Sequence, residues 1–243
     1  MSNLRSLAYT ATTTVKPNYP IELLVYNTSM SGANGGCCCL WTAPANTTSI
    51  TFELWGGGGG GGMACCCQFG PGGGAGGYAK KTVNGALAGC QYTICAASST
   101  GCSQSLQGCF GLTSFVNGFG LSNFCGAGGS GGCTQCFAFG SCYICNVQGC
   151  CAIATGGDIC AAGYTGSSIQ TTFCYLKGQQ FSAVAASTGS GAWAGPGGCG
   201  PWGGGGAWTP YFPGGGGWNA TVSANSCCYG GWGAGGLVSI TYG

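Results

Sequence analysis

Histidine is absent from this chain of 243 residues, and charge is scarce: five side chains are basic and three are acidic. Without histidine, the nucleophile–base pairs in which histidine activates serine or cysteine are excluded. The three acids, Glu22, Glu53 and Asp158, lie far apart in the sequence. No pair of carboxylates is therefore indicated for glycoside hydrolysis. We expect neither an enzyme nor a cofactor.

Several partners and locations have little support in the sequence. Lys80 and Lys81 form the one adjacent pair of basic residues, so nucleic-acid binding has almost no electrostatic basis. No run of about 20 apolar residues predicts membrane insertion. The first twenty residues lack the apolar core of a signal peptide. We expect synthesis in the cytoplasm without such a signal.

Helical periodicity is also missing, whereas short strand patterns recur. Residues 48–55 alternate, so that Ile50, Phe52 and Leu54 face one side. Further strands are predicted within 10–15, 20–30, 78–83, 90–95 and 236–243, with a hairpin turn at 177–180. We expect mostly antiparallel pairing, with the last strand joining the early ones.

Glycine is abundant, with 55 residues, and seven stand in one run: Gly56, Gly57, Gly58, Gly59, Gly60, Gly61 and Gly62. Further blocks occupy 70–77, 126–132, 195–206, 213–217 and 230–236. Extended three-per-turn segments without Cβ atoms can pack side by side and bond to one another. The predicted fold class is therefore all-β with low regular content. It combines a small antiparallel β-structure with stacked polyglycine II-like segments, rich in cysteine and without substantial helix.

Two regions differ in composition. Residues 1–36 contain no cysteine and have ordinary polarity, which is typical of an extended arm that attaches to a partner. Residues 37–243 form the predicted glycine- and cysteine-rich domain.

The 22 cysteines leave alternatives open. Cys133, Cys136, Cys142 and Cys145 form two C-x2-C pairs separated by five residues. Disulfides or free thiols are the preferred interpretation, and a four-cysteine zinc site or an iron–sulfur cluster is the alternative. The remaining cysteines, which include vicinal runs, indicate either a cross-linked shell or small buried hydrophobes.

Aromatic residues cluster late in the chain, between the glycine blocks. Exposed tryptophan and tyrosine are good anchors for proteins and sugars, whereas buried ones cover bare glycine backbone. The candidate binding residues are Trp202, Trp208, Tyr211, Phe212, Trp218 and Trp232.

The stretch "WTAPANTTSITFELWGGGGGGG", the later "GGYAKKTVNGALAGCQYTI" and the final "GGWGAGGLVSITYG" carry a resemblance. They resemble the glycine-rich proteins of tailed-phage virions and the glycine-rich adhesins at the tips of long tail fibres. The resemblance covers roughly residues 40–96 and 195–243, and the cysteine load is similar to that of virion proteins of marine cyanobacterial phages. It implies left-handed polyglycine helices stacked into a sandwich that displays variable loops.

From this resemblance we expect a non-enzymatic virion structural protein, a tail-fibre, appendage or tip component involved in host adhesion. The alternatives are a capsid decoration protein, a self-assembling extracellular filament and a four-cysteine metal-binding module. Expected partners are other virion proteins through the N-terminal arm, further copies of the chain in a homo-oligomer, and a host surface receptor or glycan.

Overall fold

The fold is built from fourteen short strands. A computed structural model describes residues 21–26, 36–62, 72–100, 107–137, 143–147, 152–163, 168–172, 175–179, 213–217 and 230–243. The strands are β1 (Ile21–Tyr26), β2 (Cys37–Thr42), β3 (Ser49–Trp55), β4 (Tyr78–Asn84), β5 (Gln91–Ala96), β6 (Ser114–Gly118), β7 (Cys125–Gly126), β8 (Cys133–Phe137), β9 (Tyr143–Val147), β10 (Ala154–Thr155), β11 (Ile159–Ala161), β12 (Ser168–Thr172), β13 (Tyr175–Gln179) and β14 (Leu237–Tyr242). The described residues contain no helix, so none there could cross a bilayer.

Two five-stranded antiparallel sheets form a sandwich. The first has the order β1-β14-β3-β4-β11 and the second the order β10-β7-β6-β5-β2. A four-stranded sheet has the order β13-β12-β9-β8. The C-terminal strand β14 lies between β1 and β3, as predicted for the last strand. The all-β fold class is confirmed.

The sandwich core follows from the alternation of residues along β3. Ile50, Phe52 and Leu54 are fully buried and pack in one cluster with Tyr92 and Ile94 of the opposite sheet. Burial of each large apolar side chain contributes about 1.5–3 kcal/mol. The phenol of Tyr92 is buried without a hydrogen-bond partner, and this desolvation raises its pKa. The sheets are thus held face to face by a compact apolar layer.

The predicted arm contributes a strand to this sandwich. Ile21–Tyr26 pairs along its whole length with the C-terminal strand, which places Ile21 opposite Tyr242. Residues 1–20 and 27–35, including the strand predicted at 10–15, lie outside the described residues. The domain boundary at residue 36 stays a prediction.

The turn predicted at 177–180 is wrong. Lys177 and Gln179 lie within β13, which pairs antiparallel with β12 so that Thr172 is opposite Tyr175. The chain therefore reverses between Thr172 and Tyr175. The glycine that follows Lys177 lies within β13 and marks no turn here.

The strands of the sandwich run directly into glycine-rich segments at one end. β3 ends at Trp55, immediately before the glycine run, and its partners β4 and β14 begin immediately after Gly77 and Gly236. The second sheet is arranged similarly, since β5 leads into 97–100, β6 follows 107–113 and β7 leads into 127–132. These segments therefore leave the sandwich side by side at the same end.

Candidate functional site

The glycine run 56–62 continues from β3 beyond the end of the sandwich, and its seven residues are all buried. Six consecutive amides of the run donate hydrogen bonds to three neighbouring segments in rotation. Gly56 and Gly59 donate to 72–77, Gly57 and Gly60 to 107–113, and Gly58 and Gly61 to 230–236, with N···O distances of 2.8–2.9 Å. Every third residue thus faces the same neighbour. This period belongs to the extended polyglycine helix, which has three residues per turn and no internal hydrogen bonds.

The carbonyls of the run follow the same period toward three other segments. Gly57 and Gly60 accept from the amides of Gly129 and Gly132, and Gly59 accepts from Gly217 at 2.7 Å. The carbonyl of Gly58 accepts from the hydroxyl of Thr100, at 3.4 Å. The run is therefore surrounded by six segments, which alternately accept from it and donate to it.

We call the central run and its six neighbours, 72–77, 97–100, 107–113, 127–132, 213–217 and 230–236, the glycine bundle. The neighbours also bond to one another. Segment 72–77 donates to 127–132 and to 213–217, and 107–113 donates to 127–132. Segment 230–236 exchanges bonds with 213–217 and with 97–100. The stacked glycine-rich segments of the predicted fold class are present, with each backbone serving as a partner for the next.

Glycine is required in the bundle because the backbones touch. A Cβ atom on Gly73 or Gly76 would lie under 3.0 Å from a carbonyl oxygen of the central run. The same holds for Gly108 and Gly111, and for Gly230 and Gly233. In each pair the glycines stand three positions apart, because every third residue of a neighbour faces the centre. Large side chains can be carried where a segment faces outward, as at the exposed Phe110.

The hydrogen bonds of one central residue offset the entropy that its ordering costs. Gly57 donates to Leu112 and accepts from Gly129, both at 2.9 Å. Each bond contributes about 1 kcal/mol net, and fixing one backbone residue costs about 1–2 kcal/mol. The hydrogen bonds therefore offset the entropic cost of ordering the run only when both its amides and its carbonyls are bonded.

Ser114 connects the sandwich to the bundle. Its hydroxyl donates to the carbonyl of Trp55 at 2.6 Å and accepts from the amide of Ala97 at 2.9 Å. Ser114 is fully buried at the beginning of β6. These bonds join β3 to the second sheet at the point where the ladder between strands gives way to the bundle. The sequence offered no signal for this role, because the partners of Ser114 lie 17 and 59 positions away in the chain.

Thr100 fills the sixth position around the run. Its hydroxyl donates to Gly58 and accepts from the amide of Gly233 at 2.8 Å, and its side chain is buried. A threonine hydroxyl here supplies a donor of the kind that a glycine amide supplies elsewhere in the bundle. Segment 97–100, which contains no glycine, was not predicted as a member.

The adjacent lysines 80 and 81 are both paired with acids. Lys80 and Glu53 are 2.8 Å apart on neighbouring strands, and Tyr78 donates to the same carboxylate at 2.9 Å. Lys81 contacts Asp158 at 3.0 Å. The Thr82 amide and the Lys81 ammonium hold the pKa of Asp158 below its usual value of 3.8. Glu53 and Asp158 therefore act as partners for lysine, tyrosine and backbone groups.

The described cysteines include one disulfide, Cys38–Cys95, which joins β2 to β5. Partial burial raises the pKa of the Cys39 thiol, and nearby Cys37 raises it further. None of the free cysteines in the described ranges is fully buried, and one of them, Cys90, packs partly buried against the core. They are Cys37, Cys39, Cys90, Cys109, Cys125, Cys133 and Cys160.

The predicted four-cysteine site stays a prediction. Cys133 begins β8 and is half-buried, and the register places Cys136 opposite Ile144 and Cys145 opposite Gln135. The side chains of Cys136 and Cys145, and all of Cys142, lie outside the described residues. Among the described side chains, no group of three or more metal-binding types is assembled.

The candidate aromatic residues are only partly placed. Trp232 lies in segment 230–236 of the glycine bundle and is half-buried there. The other candidates lie outside the described residues: Trp202, Trp208, Tyr211, Phe212 and Trp218.

Comparison with known proteins adds no relative, since no protein-family model and no curated protein sequence matches this chain.

Proposed function

We propose that this protein is a non-enzymatic structural component of a tailed-phage particle, located in a tail fibre, appendage or tip and involved in host adhesion. The glycine run surrounded by six hydrogen-bonded segments is the observation that carries the proposal. Such a bundle keeps a fixed shape through backbone contacts, and its glycine residues carry no reactive side chains. The resemblance to glycine-rich tail-fibre adhesins supports the same class.

The bundle suits the display of variable loops. The stretches 63–71, 101–106 and 218–229 each begin and end next to a bundle segment. Because the bundle is held together by backbone atoms, the sequences of these connections can change without loss of its hydrogen bonds. A receptor-binding protein needs this separation, since recognition must vary while the scaffold stays constant.

Attachment and display are expected at opposite ends. Strand β1 begins at Ile21, opposite Tyr242, whereas the bundle follows the other end of β14, at Gly236. An N-terminal arm that contacts other virion proteins therefore starts at the end of the sandwich away from the bundle. A host receptor or glycan then meets the bundle side, where we propose that Trp202 and Trp218 contribute to binding.

Immunogold electron microscopy of purified particles tests the location. We expect label at the tail fibres or their tips, with few copies per particle by quantitative mass spectrometry. Dense label over the head would indicate a capsid decoration protein. Particles without label would contradict virion membership.

Competition for host adsorption tests the adhesive role. We expect the purified protein to slow adsorption of the phage, and the substitutions Trp202→Ala and Trp218→Ala to abolish this effect. Phe110→Ala is the control. Phe110 is an exposed aromatic residue of the bundle, but it is not one of the candidate binding residues. No competition by the unaltered protein would refute adhesion by this chain.

A further inference from the structure

The two open sides of the sandwich differ in how they are protected from pairing with another strand. On one side the outer strands β10 and β11 have two and three residues. Lys81 extends from the core side of β4 to Asp158, which also accepts from the amide of Thr82. Short edge strands and an inward-pointing charge are the usual means by which sheets prevent further pairing.

On the opposite side, strand β2 lacks this protection within the described residues. This side is formed by β1 and β2, each six residues long, and β1 faces β5 across the sandwich. Strand β2 has the sequence CCCLWT, with no charge, proline or glycine. Within the described part of the chain, β2 pairs only with β5. A long, uncharged edge of this kind is a ready template for a further strand.

The register shows which backbone groups of β2 face outward. Ala43, the residue after β2, donates to Cys90 on the inner side at 2.9 Å. Because antiparallel ladders alternate, the amides and carbonyls of Cys38, Leu40 and Thr42 point away from β5. The side chain of Leu40 is 63 % exposed on the surface of the same strand. Among the described residues, the outer edge of β2 therefore combines three backbone positions that have no partner strand with an exposed leucine.

We propose that β2 pairs antiparallel with β2 of a second copy of this chain, about a two-fold axis at Leu40. In this register Leu40 lies opposite the partner's Leu40, and Cys38 lies opposite the partner's Thr42. All three outward-facing residues then exchange backbone hydrogen bonds, and the two exposed leucines cover each other. The five-stranded sheet becomes a ten-stranded sheet that spans both copies.

A second copy is favoured over other occupants by the composition of the strand. Two-fold pairing places the residue on the axis opposite its own copy, which is unfavourable when that residue is charged because like charges meet. Strand β2 has no charge to oppose itself. The two-fold axis is perpendicular to the strands, so the two bundles lie at opposite ends of the joined sheet, and the interface does not depend on the proposed adhesive function.

Sedimentation equilibrium of the full chain tests the pairing. We expect the unaltered protein to dimerise reversibly, and non-reducing electrophoresis to show that no disulfide joins the copies. Leu40→Lys is expected to weaken the dimer about tenfold or more, because two lysines face each other and two leucine contacts are lost. Ile159→Lys is the matched control, since Ile159 is a 55 % exposed apolar residue on the other side of the sandwich.

Mixing two variants tests the axis itself. Leu40→Lys alone and Leu40→Glu alone are each expected to be monomeric, whereas their mixture is expected to form a heterodimer. If the unaltered protein is monomeric, the proposal is overturned. The edge of β2 would then be open to pairing with a strand of another protein. Equal weakening by Leu40→Lys and Ile159→Lys, or failure of the mixture to associate, would overturn the proposal as well. Circular dichroism confirms that each variant is folded.

Discussion

Replacement of Gly59 by alanine tests whether contact between backbones holds the glycine bundle together. The new Cβ atom would lie under 3.0 Å from backbone atoms of Ser130 and Gly129. Carbonyl groups of this kind cannot move aside as a flexible side chain can. The segments must separate, which weakens the bond from Gly59 to Gly74, 2.8 Å long, and the bond that Gly59 accepts from Gly217.

The cost of this substitution can be estimated from its parts. Overpacking costs about 1–3 kcal/mol, and each weakened hydrogen bond costs about 0.5–1.5 kcal/mol. Alanine restricts the unfolded chain, which returns about 0.4–1 kcal/mol. We expect Gly59→Ala to lower the free energy of unfolding by about 3 kcal/mol. For a chain of this size, this corresponds to a fall in Tm of about 6–12 °C.

Gly57→Ala is the matched control within the same run. Its Cβ would lie 3.2 Å from the carbonyl oxygen of Ser98 and 3.3 Å from the Cβ of Ala97, which is tight but tolerable contact. We expect a change in unfolding free energy within about 1 kcal/mol of zero, because strain and reduced freedom of the unfolded chain nearly cancel. Differential scanning calorimetry measures both variants. Equal effects of the two substitutions would refute the argument from backbone contact.

Three further predictions concern individual links within the sandwich and between the sandwich and the bundle. Replacing Cys38 and Cys95 together by serine should lower stability by about 4 kcal/mol in denaturant unfolding, because the bond closes a loop with a sequence separation of 57; Cys39→Ser, at an exposed free thiol, should change it little. Ser114→Ala should cost about 2–4 kcal/mol, because one buried carbonyl and one buried amide lose their partner, and a loss below about 1 kcal/mol in the same assay would contradict the connecting role. The ionised Asp158 stabilises the fold above its ordinary pKa of 3.8, and this contribution is lost as pH falls through the lower folded pKa. The stability difference between the unaltered protein and Asp158→Asn should therefore shrink on acidification, and a difference independent of pH would be inconsistent with the ion pair.

The strands that could be predicted from sequence are those with regular alternation. Ile50, Phe52 and Leu54 alternate with polar residues, and the structure buries all three in one core. Strand β2 was not predicted, because three adjacent cysteines and a leucine give no alternation. Its membership is decided by pairing with β5 and by the disulfide from Cys38, which are contacts distant in sequence.

The bundle was predictable as a class but not as a set of segments. The long glycine blocks indicated stacking, whereas 107–113, which contains only two glycines, was overlooked. Those two, Gly108 and Gly111, stand three positions apart and face the central run. A search for glycine at every third position would have found this segment. Segment 97–100 has no such signal, because Thr100 uses a side-chain hydroxyl to bond to the centre.

The register of the sandwich continues into the bundle without a shift. Trp55 lies opposite Tyr78 in the sheet, and the next residue, Gly56, bonds to Gly77, the residue before Tyr78. Trp55 also lies opposite Leu237, and Gly58, three residues further on, bonds to Ala234, three residues before Leu237. The same two pairings thus persist while the period of the chain changes from two to three residues.

This continuity explains how a run of identical residues finds a single alignment. Seven glycines carry no information about register, because sliding the run by three residues restores the same set of backbone contacts. The alternating apolar residues of β3 have one alignment that buries Ile50 and Phe52, and a slip by one residue would expose them. Since β3 is covalently joined to the run, the sheet fixes the phase of Gly56 and every glycine after it. The sandwich therefore specifies the bundle, and the bundle in turn holds the ends of its connections at constant positions mainly through backbone hydrogen bonds.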